Sequence, residues 1–492
     1  MEINKRRMVR LFAMTIFIMA IAMVPSILCA IYEKQYYMVK AFAIPAGIML
    51  VLGSVLLKTI TPSTANLKIR DGYMGIFLVI FVSAIAGAFP YWISIPNANF
   101  ADAFFESSAG LSTTSATVFY EPAMGNSLIL WKSIEHWLGG ISILIFIVSI
   151  LPILGVGDQQ IATAEAHGSF QNKIAPRSKA IVKYTIIIYL ILTIAAFVYF
   201  LFGKIGIFDA FILSLSTSST SGVLLHPQGI SYYNSFYIEM GVSIFCILSS
   251  ISFVLYIHFY KKNFVEIKKN IELRAFLIII AVSTVIITIL LYMTNNTDRS
   301  LIEALRDSFF QVSSFATTSG FALEDYTLWP SPCCFLLISL MIIGGCSAST
   351  TGSFKVIRLL IVSKLISRGF TKRIHPRAVK AVRIGNSKIS AKMVSSVTTF
   401  AILYFATLLF SAVILSLQNL DLPTTFSAAL GAISNDGISF GSIGMSGDYS
   451  IFHPILKIYL SFLMVVGRLG LLTVFIVFLP SFWNPNKRIR IQ

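Results

Sequence analysis

The chain has 492 residues, of which 56% are hydrophobic and 12% charged, with a mean hydropathy of +0.81. Soluble proteins carry about 25% charged residues, so a soluble globular enzyme is excluded and an integral membrane protein is expected. A formal charge of +17 would point a soluble chain to nucleic acid; here no nucleic-acid partner is expected, because Lys and Arg gather in alternate loops, as on the cytoplasmic side of a membrane.

Residues 1–10 are basic, and 11–31 form an apolar run of spanning length. Without a small-residue cleavage site after it, this run reads as a retained first span interrupted by Pro25 rather than a secretory signal. A second span covers about 37–57. Placing the N-terminus in the cytoplasm puts most of the 38 basic residues inside.

From residue 73 onward one unit recurs: a span, an apolar half-span too short to cross about 30 Å of hydrocarbon, a Ser/Thr/Gly stretch, and a returning span. The first copy uses 73–95, 103–110 and 128–152; the second 181–202, 209–217 and 235–258; the third 275–293, 301–315 and 333–352; the fourth 394–417, 423–433 and 454–479. Taking Ser115, Gly222, Gly320 and Gly437 as equivalent gives spacings of 107, 98 and 117 residues, the signature of an internal repeat. Asp102, Asp209, Glu303 and Asp421 each head a half-span, where an acid suits the positive end of a helix dipole. The expected fold is an all-α polytopic membrane protein: a two-helix extension (1–70), then four repeats, 71–170, 171–270, 271–385 and 386–492, whose hairpins can surround one axis.

The polar stretches are Leu111 to Thr117, Ser216 to Val223, Ser314 to Phe321 and Ala432 to Ile438. Non-helical backbone survives at membrane depth only where protein or a water-filled path covers it. Four such hairpins around one axis can present a ring of carbonyls that replaces the hydration shell of an alkali cation, with half-helix C-termini aimed inward. The residues expected to form it are Thr113, Thr114 and Ser115; Thr220, Ser221 and Gly222; Thr318, Ser319 and Gly320; and Asn435, Asp436 and Gly437. The three glycines suit positive φ and close approach to an ion; Cβ and Oγ at Ser115 disfavour that geometry.

The whole chain resembles the Trk/Ktr/HKT superfamily of potassium and sodium transporters, and its two extra N-terminal spans are similar to the TrkH/TrkG branch. Besides the hairpins, Asp102-Ala-Phe-Phe-Glu-Ser, Leu151-Pro-Ile-Leu-Gly-Val-Gly157, Phe309-Phe-Gln-Val-Ser, His375-Pro and Gly467-Arg-Leu469 carry the resemblance. It implies pore repeats around a pseudo-fourfold pore with Ser115, Gly222, Gly320 and Gly437 as the four filter positions, K⁺ or Na⁺ as transported ion, no covalent cofactor, a homodimer, a cytoplasmic TrkA-like nucleotide-binding ring as regulator, and a bacterial inner membrane. It also exposes a departure: the first filter position is Ser115 where the branch has Gly, and Ser there accompanies sodium preference in the plant relatives. K⁺ uptake with some Na⁺ permeability is therefore expected. Asp436, beside Gly437, is a second departure: it faces the path and concentrates cations, or turns behind the filter and needs a donor, or is a loop acid at the outer mouth, which Glu121, Glu324, Asp325 and Asp448 are expected to make cation-attracting.

Two features belong below the filter. Residues 343–353 (Ile-Gly-Gly-Cys-Ser-Ala-Ser-Thr-Thr-Gly-Ser) interrupt the third return span and resemble the family's intramembrane gate loop, with Gly344, Gly345, Thr350 and Gly352 as its key positions; a close-packed kink is the alternative. Arg468, a charge within a span, is functional by default and is expected to impede cation flow when the gate is shut. The family follows it with Glu, but here Gly470 stands in that place. The 11 Lys and Arg from Lys355 to Lys392 suit anionic membrane lipid or an acidic regulator face. An ion-coupled symporter remains open, since broken helices at the midplane serve that chemistry too. A membrane-embedded hydrolase is the remote alternative. The six histidines are scattered and no Gly-x-Ser-x-Gly or His-Glu-x-x-His occurs, so no enzyme is expected. The five cysteines lack metal-ligand spacing and read as small buried hydrophobes.

Overall fold

A computed structural model describes residues 3–62, 69–119, 124–149, 174–223, 225–226, 228–294, 299–377, 381–385, 387–444 and 447–483. The motif at 151–157 and Glu121 lie outside the described residues. The fold is helical, and its only strands among the described residues are the short hairpin Arg383–Ile384 with Ser387–Lys388. A helix satisfies its backbone within its own segment, which hydrocarbon demands. Among the described residues, seven helical segments are long and apolar enough to cross a bilayer, the first running from Lys5 to Tyr32.

Helix Lys5–Ala22 runs into Val24–Tyr32, with Pro25 in the first turn of the second, where its missing N–H leaves no intrahelical bond unmade. Lys5–Ala22 and Tyr36–Thr59 pack on Ile69–Ser94, the entry span of the first repeat, while Val24–Tyr32 packs on Asn126–Ser149 and Tyr36–Thr59. A 3.2 Å ion pair between Arg7 and Asp71 ties the extension to that span.

The remaining entry spans are Ile174–Phe202, Ile271–Met293 and Ala391–Ser416, and the four pore helices are Phe100–Ser112, Ile207–Ser219, Leu301–Ala316 and Leu422–Ser434. Each pore helix packs against its own entry span and against the return span of the preceding repeat, the first helix taking that of the fourth. The four units therefore close into a ring. Polar bonds cross the seams: Lys457 of the fourth unit meets Asp102 of the first at 2.6 Å, and Arg306 of the third pairs with Glu239 of the second.

The acids heading the pore helices divide into two kinds. Asp421 is an N-cap, accepting from Thr424 N at 3.1 Å and Thr424 Oγ1 at 2.6 Å, and the Thr424 hydroxyl holds its carboxyl below the usual range. Glu303 closes a capping box with Ser300, whose backbone N–H lowers the Glu303 carboxyl likewise. Asp102 and Asp209 reach outward instead, to Lys457 and to His226 Nε2 at 3.0 Å.

Three return segments are interrupted, the third at the expected loop and the second and fourth where the sequence predicts single runs. The second bends by 88° between Phe236–Ser250 and Phe253–Tyr260, and the fourth by 117° between Pro454–Leu469 and Leu471–Phe478. The third stops at Ile343 and resumes as the basic helix Val356–Ile374. Hydropathy continues across the first two breaks, so nothing in the apolar pattern marks them. The second breaks where its freed carbonyls accept bonds from the third repeat; the fourth turns at Gly470, whose φ of 85° favours glycine.

Candidate functional site

The four pore helices end in the same way, although their sequences differ. In every copy the residue two before the aligned position is left-handed: Thr113 (φ 55°), Thr220 (φ 54°), Thr318 (φ 49°) and Asn435 (φ 59°). In every copy the next residue donates its N–H to the carbonyl five residues back: Thr114 to Ala109, Ser221 to Ser216, Ser319 to Ser314 and Asp436 to Gly431, at 2.9 to 3.1 Å. This is the closure of a Schellman motif, which ends the helix and throws the chain into an extended strand.

Gly222, Gly320 and Gly437 follow at φ 67°, 71° and 92°. Ser115 is not among the positive-φ residues, so the serine escapes the conformation its Cβ disfavours. Glycine is also required by contact. A Cβ on Gly222 would stand 2.5 Å from the Ser319 carbonyl, one on Gly320 2.7 Å from the Asp436 carbonyl, and one on Gly437 2.5 Å from Ser115 N. The strands of the second, third, fourth and first repeats thus touch in ring order.

Ser115 breaks the equivalence. Its N–H donates to the Asp436 carbonyl at 3.1 Å and its hydroxyl donates to the same oxygen. A Cβ on Gly320 would overlap Ser115 Oγ, so this hydroxyl reaches across the ring to the third repeat. Asn435 Nδ2 adds a bond to Thr114 Oγ1 at 3.2 Å and one to the Met464 carbonyl at 2.8 Å. Asp436 is not a mouth acid: its side chain is fully buried, with the Gly320 backbone N–H beside its carboxylate.

The first strand has a charged brace that sequence reading left unassigned. Glu106 accepts from Thr117 Oγ1 at 3.0 Å and Val118 N at 3.0 Å, and pairs with Lys132 at 2.6 Å, both side chains fully buried. Glu106 lies in the quoted Asp102 motif; an acid midway along a pore helix and a lysine in the following span were the available signal. At the mouth, Glu324 is engaged by Arg299 at 2.7 and 2.8 Å and by Trp329 Nε1 at 2.7 Å. Asp325 and Asp448 bind local backbone, Thr327 N at 3.0 Å and Ser450 N at 2.8 Å. Glu324 therefore adds little to a cation-attracting field.

Residues 344–355 lie directly under these strands. Thr350 Oγ1 donates to the Ser249 carbonyl at 3.0 Å, Cys346 N to the Ser250 carbonyl at 3.1 Å, and Phe253 N to the Ala348 carbonyl at 2.9 Å. These bonds occupy the backbone freed at the break in the second return segment. Upward, Gly352 N donates to Thr318 Oγ1 at 3.0 Å and Thr220 Oγ1 meets Thr350 Oγ1 at 3.3 Å. Gly344 has φ 68°, and a Cβ on Gly352 would overlap the Ser434 carbonyl. Gly345 packs on Thr351 and Ser250, with 2.7 Å left for a Cβ before Thr351 Oγ1. Two side chains not foreseen hold the loop: Glu272 accepts from Ser347 N at 2.6 Å and Ser347 Oγ at 2.7 Å, and Lys355 Nζ folds back on Thr351 Oγ1 at 2.8 Å.

Arg468 is 5% exposed and spans the ring beneath the strands. Nη1 donates to the Thr350 carbonyl at 2.5 Å and Nη2 to the Gly139 carbonyl at 3.3 Å. Its partners are carbonyls rather than a carboxylate. The glycine at 470, where the resemblance leads to an expected Glu, is accounted for by the φ of 85° at the bend.

Comparison with known proteins places this geometry in context. The family model TrkH, described as a cation transport protein, matches residues 38–484. The Trk system potassium uptake protein TrkG of Escherichia coli is 29% identical over 95% of this chain and 96% of its own length. The potassium uptake protein TrkH of Salmonella typhimurium is 31% identical over 90% of this chain and 92% of its own. The crystal structure of the potassium transporter TrkH from Vibrio parahaemolyticus superposes with a TM-score of 0.88 at 28% identity, covering 98% of this chain and all of that one.

Proposed function

The chain belongs to the TrkH family of cation transport proteins, and on that premise we propose that it takes up K⁺ through the ring formed by Ser115, Gly222, Gly320 and Gly437. A member of this family is a transporter, so the hydrolase reading falls. The observation that carries the proposal is the identical backbone turn before all four positions, from left-handed residue to closing bond. Four equivalent strands in ring order supply the carbonyl set that replaces an alkali ion's hydration shell. Thr113, Thr114, Thr220, Ser221, Thr318, Ser319, Asn435 and Asp436 build the strands beneath it.

Ser115 makes this ring unequal. Its N–H and hydroxyl both engage the Asp436 carbonyl, an oxygen otherwise free to face a cation. Fewer carbonyls and an intruding hydroxyl reduce discrimination in favour of K⁺, so Na⁺ permeates as well. Residues 344–355 act as the gate, with Gly344, Gly345, Thr350 and Gly352 shaping the loop and Arg468 adding a positive barrier between Thr350 and Gly139. The protein works as a homodimer in the bacterial inner membrane with its N-terminus in the cytoplasm, gated by a cytoplasmic nucleotide-binding ring.

The test is ion flux from the purified chain in liposomes under K⁺ and Na⁺ gradients. The unmodified protein passes both ions and Ser115→Gly raises the K⁺/Na⁺ permeability ratio. Strong K⁺ preference in the unmodified protein, unchanged in the variant, would remove the role given to Ser115. Reversal potentials that follow the permeant ion alone mark a channel; a second ion's contribution marks coupled transport.

A further inference from the structure

We propose that residues 259–269, between the broken second return segment and the third entry span, bind anionic phospholipid and couple it to the gate loop. This inference rests on the gate reading for its coupling, while the lipid binding stands on the segment itself. Two independent features coincide there.

The first is a largely exposed apolar face, on which Tyr260 rests against Tyr184 at 5.6 Å. Phe259, Tyr260, Phe264 and Val265 are 61%, 70%, 48% and 56% exposed. Phe259 and Phe264 pack edge to face at 5.6 Å, so the two short helices Phe253–Tyr260 and Phe264–Lys269 present one continuous aromatic surface. The second feature is charge. Lys261, Lys262, Lys268 and Lys269 are exposed and bracket Phe264 and Val265 on both sides, against a single acid, Glu266. Aromatic rings set among lysines are what a membrane interface selects: the rings enter the headgroup boundary while the ammonium groups meet lipid phosphate. A lipid tail offers nothing to the lysines and a free phosphate nothing to the rings, so the occupant that satisfies both is an anionic phospholipid.

The position of this patch gives it leverage. At its N-terminal end, helix Phe253–Tyr260 begins on the bond from Phe253 N to the Ala348 carbonyl of the gate loop, 2.9 Å. At its C-terminal end, helix Ile271–Met293 begins with Glu272, which holds Ser347 N and Oγ at 2.6 and 2.7 Å. The patch is thus bracketed by two anchors on neighbouring gate-loop residues. A headgroup that fixes 259–269 against the membrane fixes both anchors at once.

The experiment titrates the purified full-length chain in nonionic detergent with dioctanoyl-phosphatidylglycerol, dioctanoyl-phosphatidylcholine or inorganic phosphate, reading binding by native mass spectrometry. Phosphatidylglycerol is expected to bind at least about tenfold more tightly than either control, and the quadruple variant K261Q/K262Q/K268Q/K269Q to lose that preference. The matching Lys→Arg quadruple keeps it and controls for misfolding. Equal binding of the two lipids, equal binding of phosphate, or full retention by the Gln quadruple would overturn the lipid site. Flux is then compared in phosphatidylcholine liposomes with and without phosphatidylglycerol. A lipid dependence present in the unmodified chain and absent in the Gln quadruple supports coupling; the same dependence in both, or none in either, overturns it. Absence of flux in every lipid would instead overturn the transport reading, leaving the binding result to be judged separately.

Discussion

Glu272→Gln is the sharpest perturbation of the proposed gate. The Glu272 carboxylate is buried and accepts two bonds from Ser347, one from the backbone at 2.6 Å and one from the hydroxyl at 2.7 Å. Hydrogen bonds to a charged group contribute about 1.5–3 kcal/mol each, neutral ones about 0.5–1.5. The amide keeps one oxygen as acceptor and turns an NH₂ donor toward the second donor, so the loop's anchor weakens by about 2 kcal/mol. If that energy stabilises only the shut arrangement, the open fraction rises about 30-fold, at tenfold per ~1.4 kcal/mol. The assay is K⁺ flux from liposomes holding the purified variant with no regulator present. Ser347→Ala removes only the hydroxyl arm and should give a smaller rise, and the double variant should fall short of the sum, because both changes break one contact. A folded Glu272→Gln protein with unaltered resting flux, or strictly additive effects, would refute the anchoring role.

Gly320→Ala should abolish flux, since the new Cβ meets Ser115 Oγ and lies 2.7 Å from the Asp436 carbonyl at a φ of 71°; in a Ser115→Gly background flux should return in part, and equal loss in both would dismiss the cross-ring contact. Lys132→Met leaves the Glu106 carboxylate buried without its partner and should cost about 3–5 kcal/mol, read as a fall in thermal unfolding midpoint that adding Glu106→Gln relieves. Arg468→Ala removes the donors to Thr350 and Gly139 and should raise resting cation flux; unchanged flux would end its role as a barrier.

The repeat, its four aligned positions and the loop under them were legible in the sequence because each has a local cause. A short apolar run cannot cross, a glycine marks positive φ, and Gly344-Gly345 cannot sustain a helix. The avoidance of positive φ at Ser115 followed from its Cβ in the same way. What escaped reading depends on partners remote in sequence. The break after Ser250 exists because Cys346 and Thr350 donate to carbonyls about a hundred residues away, and Ile-Ser-Phe-Val reads as uninterrupted span. Glu272 looks like an ordinary first-turn acid until Ser347 is seen against it. The mouth acid Glu324 is answered by Arg299, 25 residues earlier, which charge counting along one loop does not reveal. Threonine at a left-handed C-cap is the one local surprise, forced by the strand that follows it.

The ring is fourfold in topology but twofold in the way it is tied. The fourth and first repeats are joined at filter level, where Ser115 holds the Asp436 carbonyl and Asn435 bonds to Thr114 and Met464. The second and third are joined one layer below, where residues 344–355 engage Ser249, Ser250 and Phe253, and Glu272 secures Ser347 within the third. Arg468 is the long bridge between these halves, rooted in the fourth repeat and reaching Thr350 of the third and Gly139 of the first. A loop held mainly by one half can move without undoing the filter bonds of the other. On this arrangement substitutions at Ser115 and Asn435 should alter ion preference with little change in resting flux, while substitutions at Glu272 and Ser347 should do the reverse. Permeability ratios and resting flux measured on the same four variants test that separation, and a variant from either group that moves both quantities together would show that filter and gate share one equilibrium.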